Sequence, residues 1–326
     1  MKSLVTGGAG FVGSHLCELL VRKGREVVVV DDLSTGRIEN IAPLEKAGKV
    51  RVLVDTIQNE RLVEDLVREC DEVYHLAAAV GVRLILEQPT KTIETNIGGA
   101  ENVLRAASRF RKRVLITSTS EVYGKSEQVP FREEDDVLLG ATNRLRWAYA
   151  ASKMVDEFLA LAYWREKRLP VVIARLFNTV GPRQTGRYGM VIPRLVSQAL
   201  AGEPLSIYGD GLQSRCFGAV QDVVVGLAAL MDSDEATGEV VNLGNPEEVT
   251  INGLAKLILE VTGSKSEIKH IPYAEAFTEG FEDMRRRVPD IGKARRLLGF
   301  DPKIGLRRIV EDVTADLRSR GRQSWT

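Results

Sequence analysis

At 326 residues, with 44% apolar and 28% charged side chains, the chain has the length of one large or two ordinary domains. The mixture is that of a soluble globular protein and speaks against disorder or a membrane span. Lys plus Arg balance Asp plus Glu at 45 each, so no net field gathers nucleic acid or anionic lipid, and an anionic ligand has to be held by local charge. The opening MKSLVTGGAGF runs into a glycine-rich turn without a charged head and a long apolar segment, so a cytoplasmic chain without a signal peptide is expected. Cys17, Cys70 and Cys216 lack CxxC spacing and read as reduced thiols; His15, His75 and His270 are scattered singly, which gives no metal site.

Short β-branched runs alternate with stretches of helical period. Strands are expected at Ser3 to Thr6, Glu26 to Val30, Val50 to Val54, Glu72 to Leu76, Val114 to Thr117 and Val171 to Ala174. Helices are expected at Phe11 to Lys23, Asn59 to Arg68, Thr92 to Phe110 and Ala148 to Glu166. This is the pattern of βαβ units, hence an α/β doubly wound parallel sheet (a Rossmann domain) over residues 1–177. After Asn178 the texture changes to GPRQTGRYG and AGEPLSIYGDG. A smaller α/β substrate lobe is expected over 178–326, with the chain free to cross between lobes more than once. The closing LRSRGRQSWT reads as a frayed basic tail.

VTGGAGFVGSHL places Gly7, Gly10 and Gly13 directly after the first strand and at the start of a helix. Glycines there permit a tight turn and let the backbone of Gly7, Gly10, Phe11, Val12 and Gly13 approach a pyrophosphate at the positive helix end. The second strand ends in Asp31 and Asp32. Asp31 falls about 24 residues after Gly7, near the spacing for a carboxylate that accepts bonds from an adenosine ribose, and an acid there repels a 2′-phosphate. NAD is therefore the expected cofactor. Asp55 at the end of the third strand is placed for the adenine edge, or is simply an exposed strand-end acid. Leu76, Ala77 and Ala78 after the fourth strand leave room for a cofactor across the sheet, although core packing would select the same small residues.

TSTSEVYG, residues 117–124, sets hydroxyl side chains and one carboxylate, Glu121, at the end of the fifth strand. In RWAYAASKMVDEF, Tyr149 and Lys153 stand four apart on one helix face. A lysine ammonium, with a positively charged nicotinamide, favours the phenolate, which can take a proton from a sugar hydroxyl while carbon gives up hydride. A second pair at the same spacing, Tyr163 and Lys167, lies beside KRLP without a hydroxyl-rich strand end and reads as surface.

TGGAGFVG, the strand-end DD, TSTSEVYG, YAASK and RLFNTVGPR occur in the order seen in the extended short-chain dehydrogenase/reductase superfamily of nucleotide-sugar epimerases, dehydratases and decarboxylases, which the chain resembles over nearly its whole length. The resemblance implies a catalytic set of Thr119, Tyr149 and Lys153, with Ser120 and Glu121 beside it. It also implies nucleotide-sugar contacts from Asn178, Arg183, Tyr208, Arg215 and the run Arg285 to Arg287, and a homodimer built on the helices at 92–110 and 148–166. Guanidinium forks suit a diphosphate.

All these enzymes begin by oxidising carbon 4, so Glu121 is the residue that discriminates among them. Thr-Ser-Glu, NRLRWAYAASK and RRRVPDIGKARRLLGF are most similar to UDP-glucuronate decarboxylases, in which Arg287 would stand near sugar and phosphate. A UDP-sugar 4-epimerase and a 4,6-dehydratase remain open alternatives: Val288 replaces a lysine usual in the decarboxylase pattern, and GDP-mannose dehydratases also carry Thr-Ser-Glu. A regulatory protein of the same fold that binds NAD without turnover is the alternative outside enzymes.

Overall fold

A computed structural model describes residues 1–81, 85, 87–186, 190–272, 275 and 284–321. Thirteen strands lie among the described residues, here β1 (Lys2–Thr6), β2 (Glu26–Asp31), β3 (Val50–Val54), β4 (Glu72–His75), β5 (Arg113–Thr119), β6 (Val171–Leu176), β7 (Thr179–Val180), β8 (Leu205–Tyr208), β9 (Ser214–Cys216), β10 (Gly218–Ala219), β11 (Val240–Leu243), β12 (Glu248–Thr250) and β13 (Ile268–Ile271). Seven of them form one sheet in the order β11-β6-β5-β4-β1-β2-β3, with every neighbouring pair parallel. The central strands are buried on both faces and read as unbroken apolar runs, as VVVV in β2 does.

Helices cover both faces of this sheet. Phe11–Arg22 and Val220–Asp232 pack on one side, in a core that includes Leu16, Leu20, Val29, Val224 and Leu227. Glu60–Glu69, Pro89–Phe110 and Trp147–Lys167 contribute to the core on the other, where Val28, Val103, Ile116 and Ala160 meet. The doubly wound expectation holds, and the six expected strands and four expected helices are present with ends displaced by up to three residues.

The two expected halves exchange a segment. After β10 the chain returns to the large sheet, laying Val220–Asp232 against the first helix and adding β11 beside β6 as the edge strand. The smaller lobe has its own core among Val191–Ala201, Ile251–Thr262 and Leu306–Arg320, with Ile192, Leu195, Leu254 and Val313 buried. Four of the residues expected in a frayed tail, Leu317 to Arg320, are the end of that last helix, because Leu317 is buried in this core; residues 322–326 lie outside the described residues. Tyr163 of the second YxxxK pair is half-buried and packs against the main core, while Lys167 is exposed.

Candidate active site

The glycine turn closes tightly over the end of β1. Gly7 has φ +72°, and a Cβ there would lie 2.8 Å from the backbone nitrogen of Ala77. A Cβ on Gly13 would lie 2.1 Å from the Gly7 carbonyl oxygen. Only glycine lets the helix start this close to the strand, which leaves the N-terminal backbone of Phe11–Arg22 uncovered for a diphosphate. The cradle therefore fits a dinucleotide at β1 and β4, the point where the strand order reverses. Leu76, Ala77 and Ala78 follow β4 and are half-buried, with the Ala77 N–H donating to Thr6 Oγ1 at 3.1 Å.

Asp31 is buried at the end of β2 and accepts from the Ala9 N–H and the Leu33 N–H, both at 2.9 Å. It braces the glycine turn directly. Burial pushes its carboxyl up, against these two hydrogen bonds. Asp32 is exposed and receives the Ser34 N–H, and Asp55 receives Thr56 N–H and Asn59 Nδ2, so both terminate their strands by capping the following turn.

Thr119 ends β5 and Tyr149 lies in the first turn of Trp147–Lys167; the two side chains face each other, and the threonine hydroxyl acts to lower the phenol's pKa. Thr119 Oγ1 also accepts from the Glu121 N–H at 3.2 Å, which turns the chain into the short helical segment carrying Ser120 and Glu121. Ser120 is buried, and its hydroxyl has no hydrogen-bond partner among the described residues. Burial is the main cause that pushes Tyr149 upward, and the Glu121 carboxylate adds to it. Lys153 is 2% exposed and donates to Asp156 at 2.7 Å, so its charge is already engaged.

Glu121 is the centre of a cationic cluster. Its carboxylate accepts from Arg287 Nη2 at 2.6 Å and lies 3.4 Å from Arg146 Nη2. Burial alone would raise the Glu121 carboxyl, but Arg287 and Arg146, with Arg215 further off, outweigh it and hold the group below the usual carboxylate range. Arg146, Arg215 and Arg287 are all less than a tenth exposed. Three guanidiniums around one carboxylate leave the pocket with surplus positive charge, suited to an anionic ligand. Arg287 also donates to Asn178 Oδ1 at 3.3 Å, and Asn178 Nδ2 donates to the Cys216 carbonyl, which fixes the arginine between the two lobes.

The structure brings Thr119, Ser120, Glu121, Tyr149, Lys153, Asn178, Arg215 and Arg287 together. Arg183 is engaged elsewhere: its guanidinium pairs with Glu18 of the first helix, and its N–H donates to Asp316 at 3.0 Å. Tyr208 has its ring under Arg194, with the guanidinium carbon 4.5 Å from the centroid. Just beyond it, a cleft of about 840 Å³ is lined by Gly209, Asp210, Gln213, Ser214, Arg285 and Arg286. Arg286 pairs with Glu248 at 2.8 Å across this cleft, so only Arg287 of the three-arginine run enters the catalytic cluster. Part of the GPRQTGRYG segment, residues 187–189, lies outside the described residues.

Arg146 was not singled out by sequence reasoning. Its signal was its place immediately before the helix that carries Tyr149, and its guanidinium is held 5.1 Å from the Trp147 ring centroid. Glu157 and Arg175 form a buried pair behind the site at 2.8 Å, with Ser118 donating to Glu157.

A family model described as GDP-mannose 4,6 dehydratase matches residues 4–313. The chain belongs to this family. Among curated relatives of the GDP-mannose 4,6-dehydratase family chain, a UDP-N-acetyl-alpha-D-glucosaminuronate decarboxylase of Bacillus cytotoxicus is 41% identical over 315 residues, 95% of this chain and 97% of that one. UDP-glucuronic acid decarboxylase 1 of Arabidopsis thaliana is 39% identical over 322 residues, 98% of this chain and 70% of the relative. Among solved structures, a UDP-glucuronic acid 4-epimerase from Bacillus cereus, in complex with UDP-glucuronic acid and NAD, superimposes with a TM-score of 0.89 at 29% identity, over 98% of this chain and 100% of that one. With the glycine cradle, threonine, tyrosine and lysine in place, this member of the GDP-mannose 4,6-dehydratase family is an NAD-dependent nucleotide-sugar enzyme of the decarboxylase, epimerase and dehydratase class. Among the described residues no helix is long and apolar enough to cross a membrane, and no group of His, Cys, Asp and Glu could hold a metal ion.

Proposed function

We propose that the protein decarboxylates a UDP-linked uronic acid, UDP-glucuronate first, to a UDP-pentose. The observation that carries this reading is the Glu121 carboxylate set between Arg287 and Arg146 beside the Thr119–Tyr149 pair. A neutral hexose on a diphosphate needs cations only at the phosphates, whereas a uronate brings a second anion close to carbon 5. Arg287 and Arg215 serve the diphosphate, which leaves Arg146 as a third buried cation beside the sugar for the uronate carboxylate. The curated names of the relatives from Bacillus cytotoxicus and Arabidopsis thaliana support the same reaction.

NAD would be held over the glycine cradle, where it would supply the hydride acceptor for carbon 4 and the hydride for the final reduction. The chain's own residues do the rest. Gly7, Gly10, Phe11, Val12 and Gly13 present backbone to the diphosphate of the cofactor, Asp31 serves the ribose, and Leu76 to Ala78 leave room above β4. Thr119 hydrogen-bonds the 4-hydroxyl and Tyr149 takes its proton, returning it when the ketone is reduced. The 4-ketone makes the sugar a β-keto acid, whose carboxylate leaves as carbon dioxide while the electrons move into the ketone. The buried Ser120 hydroxyl and Arg146 orient the uronate, and a proton from water, relayed through Glu121, is delivered to carbon 5 and completes the pentose. Arg287, Arg215 and Asn178 hold the diphosphate end, and the cleft beside Tyr208 receives the uridine.

Assembly as a homodimer belongs to the same reading. Ile93, Val155 and Phe158 are 39%, 39% and 65% exposed on the two adjacent long helices, an apolar face that a second copy would cover. Sedimentation of the wild type and of Phe158→Glu tests it, since an unchanged mass would exclude this face.

The reaction is tested by supplying UDP-glucuronate or UDP-N-acetylglucosaminuronate with NAD and following carbon dioxide release together with the sugar product. Release of carbon dioxide with a UDP-pentose is expected. Interconversion of 4-epimers without release would replace decarboxylation by epimerisation.

A further inference from the structure

Asp156 is fully buried, one helical turn beyond Lys153 on the face that also carries Tyr149. Its Oδ2 receives the lysine ammonium at 2.7 Å, and its Oδ1 has no hydrogen-bond partner among the described residues. A carboxylate at this depth is costly unless paired, and its counter-ion is the lysine of the reaction centre. The reaction outlined above assigns Asp156 no task.

The surroundings define what it can do. From β4, His75 feels the lysine's charge: it is 1% exposed, hydrogen-bonded at Nδ1 to Thr6, and unpartnered at Nε2 among the described residues. From the turn after β5, Glu121 faces Tyr149, and Arg287 opposes it from the other lobe. On the helix itself Glu157 is the neighbouring acid, but Arg175 of β6 takes both of its oxygens. Asp156 is thus the anion in contact with the lysine, on the helix that also carries the phenol.

We propose that Asp156 is a positioning residue that anchors the Lys153 ammonium at the foot of the site and offsets its charge, so that Tyr149 stays a phenol until further positive charge enters the pocket. Burial, Glu121 and Asp156 all push the Tyr149 phenol upward, in agreement with that arrangement. Removing the Asp156 charge leaves the lysine's field on the phenol undivided. The phenol of such a variant ionises at lower pH, by roughly one unit for a charge about two helical turns (~10 Å) away at an effective dielectric constant of ~20.

The inference rests on Tyr149 and Lys153 being the reacting pair, and its test does not need the sugar. Phenolate absorption of the NAD-loaded protein is titrated as the difference between each protein and its own Tyr149→Phe counterpart, for wild type, Asp156→Asn and Asp156→Glu. The Asn variant should show its midpoint about one unit lower, and the Glu variant, which keeps the charge, should stay within a few tenths of wild type. If Asp156→Asn does not accumulate as folded protein, Asp156→Ser is titrated in its place. An unmoved or raised midpoint in the neutral variant overturns the proposal and leaves Asp156 a structural counter-ion. A wild type that titrates as described but releases no carbon dioxide from UDP-uronates would remove the proposed function and not this one.

Discussion

Glu121 and Arg287 are 166 positions apart in the chain and 2.6 Å apart in the fold, joining the end of β5 to the segment that enters the sheet region from the smaller lobe. The pair places the acid and the arginine of the proposed sugar site in one charge cluster, so neither acts alone.

Replacing Glu121 by Gln keeps the shape and removes the charge. Decarboxylation is expected to fall by about a hundredfold or more, the size of a lost positioned acid–base group. The readout is carbon dioxide release under saturating UDP-glucuronate; turnover within threefold of wild type would mean that Glu121 has no part in carbon 5 chemistry.

His75 is buried neutral, held to about 3 by burial and then by the Lys153 charge. Its folded value lies below the unfolded value of about 6.5, so the unfolded chain binds the extra proton first. Folding stability is therefore full above about pH 6.5 and declines as the pH falls toward about 3, by at most ~1.4 kcal/mol per unit from this group. Denaturant titrations at several pH values should show a shallower decline for His75→Gln than for wild type across this window.

Glu157 and Arg175 are each about 7% exposed at the side chain, and Arg175 also lies over the Tyr123 ring at 4.8 Å. Breaking this pair with Arg175→Met strands a buried carboxylate. A loss of about 3–5 kcal/mol is expected in urea unfolding. A loss below 1 kcal/mol would show that water reaches Glu157.

The two glycines that shape the cofactor cradle give a local test. Gly7→Ala meets the Ala77 backbone in a left-handed conformation, and Gly13→Ala meets the Gly7 carbonyl. Each should weaken NAD binding at least tenfold in a calorimetric titration, with more than 1 kcal/mol lost from stability as well. Wild-type affinity in either variant would place the dinucleotide elsewhere.

The first 177 residues declare themselves locally. Apolar runs such as EVVVVD are too short and too β-branched for helices, and GGAGFVG fixes the turn between strand and helix, so strands and cradle are legible within a few residues. Tyr149 and Lys153 are legible from their spacing on one helix face, and Thr119 from the resemblance to the extended short-chain dehydrogenase/reductase superfamily. Arg146, Asp156 and the return of β11 to the sheet were not: each owes its place to a partner far along the chain or to burial that periodicity does not report. Tyr149 marks the same limit in chemistry, since its sequence neighbour Lys153 is plain while the burial and the Glu121 charge that oppose it appear only in three dimensions.

The late arrival of β11 bears on how the molecule is made. A chain cut after Phe177 would end with the edge of β6 bare and the first helix stripped of its partner Val220–Asp232, so such a piece offers a sticky strand edge and an apolar flank together. During synthesis the large sheet stays one strand short until roughly three-quarters of the chain has emerged, and Arg287, the partner of Glu121, follows only after that. The cofactor half and the sugar half are thus sewn together by topology, and neither is expected to be harvested as a free-standing domain.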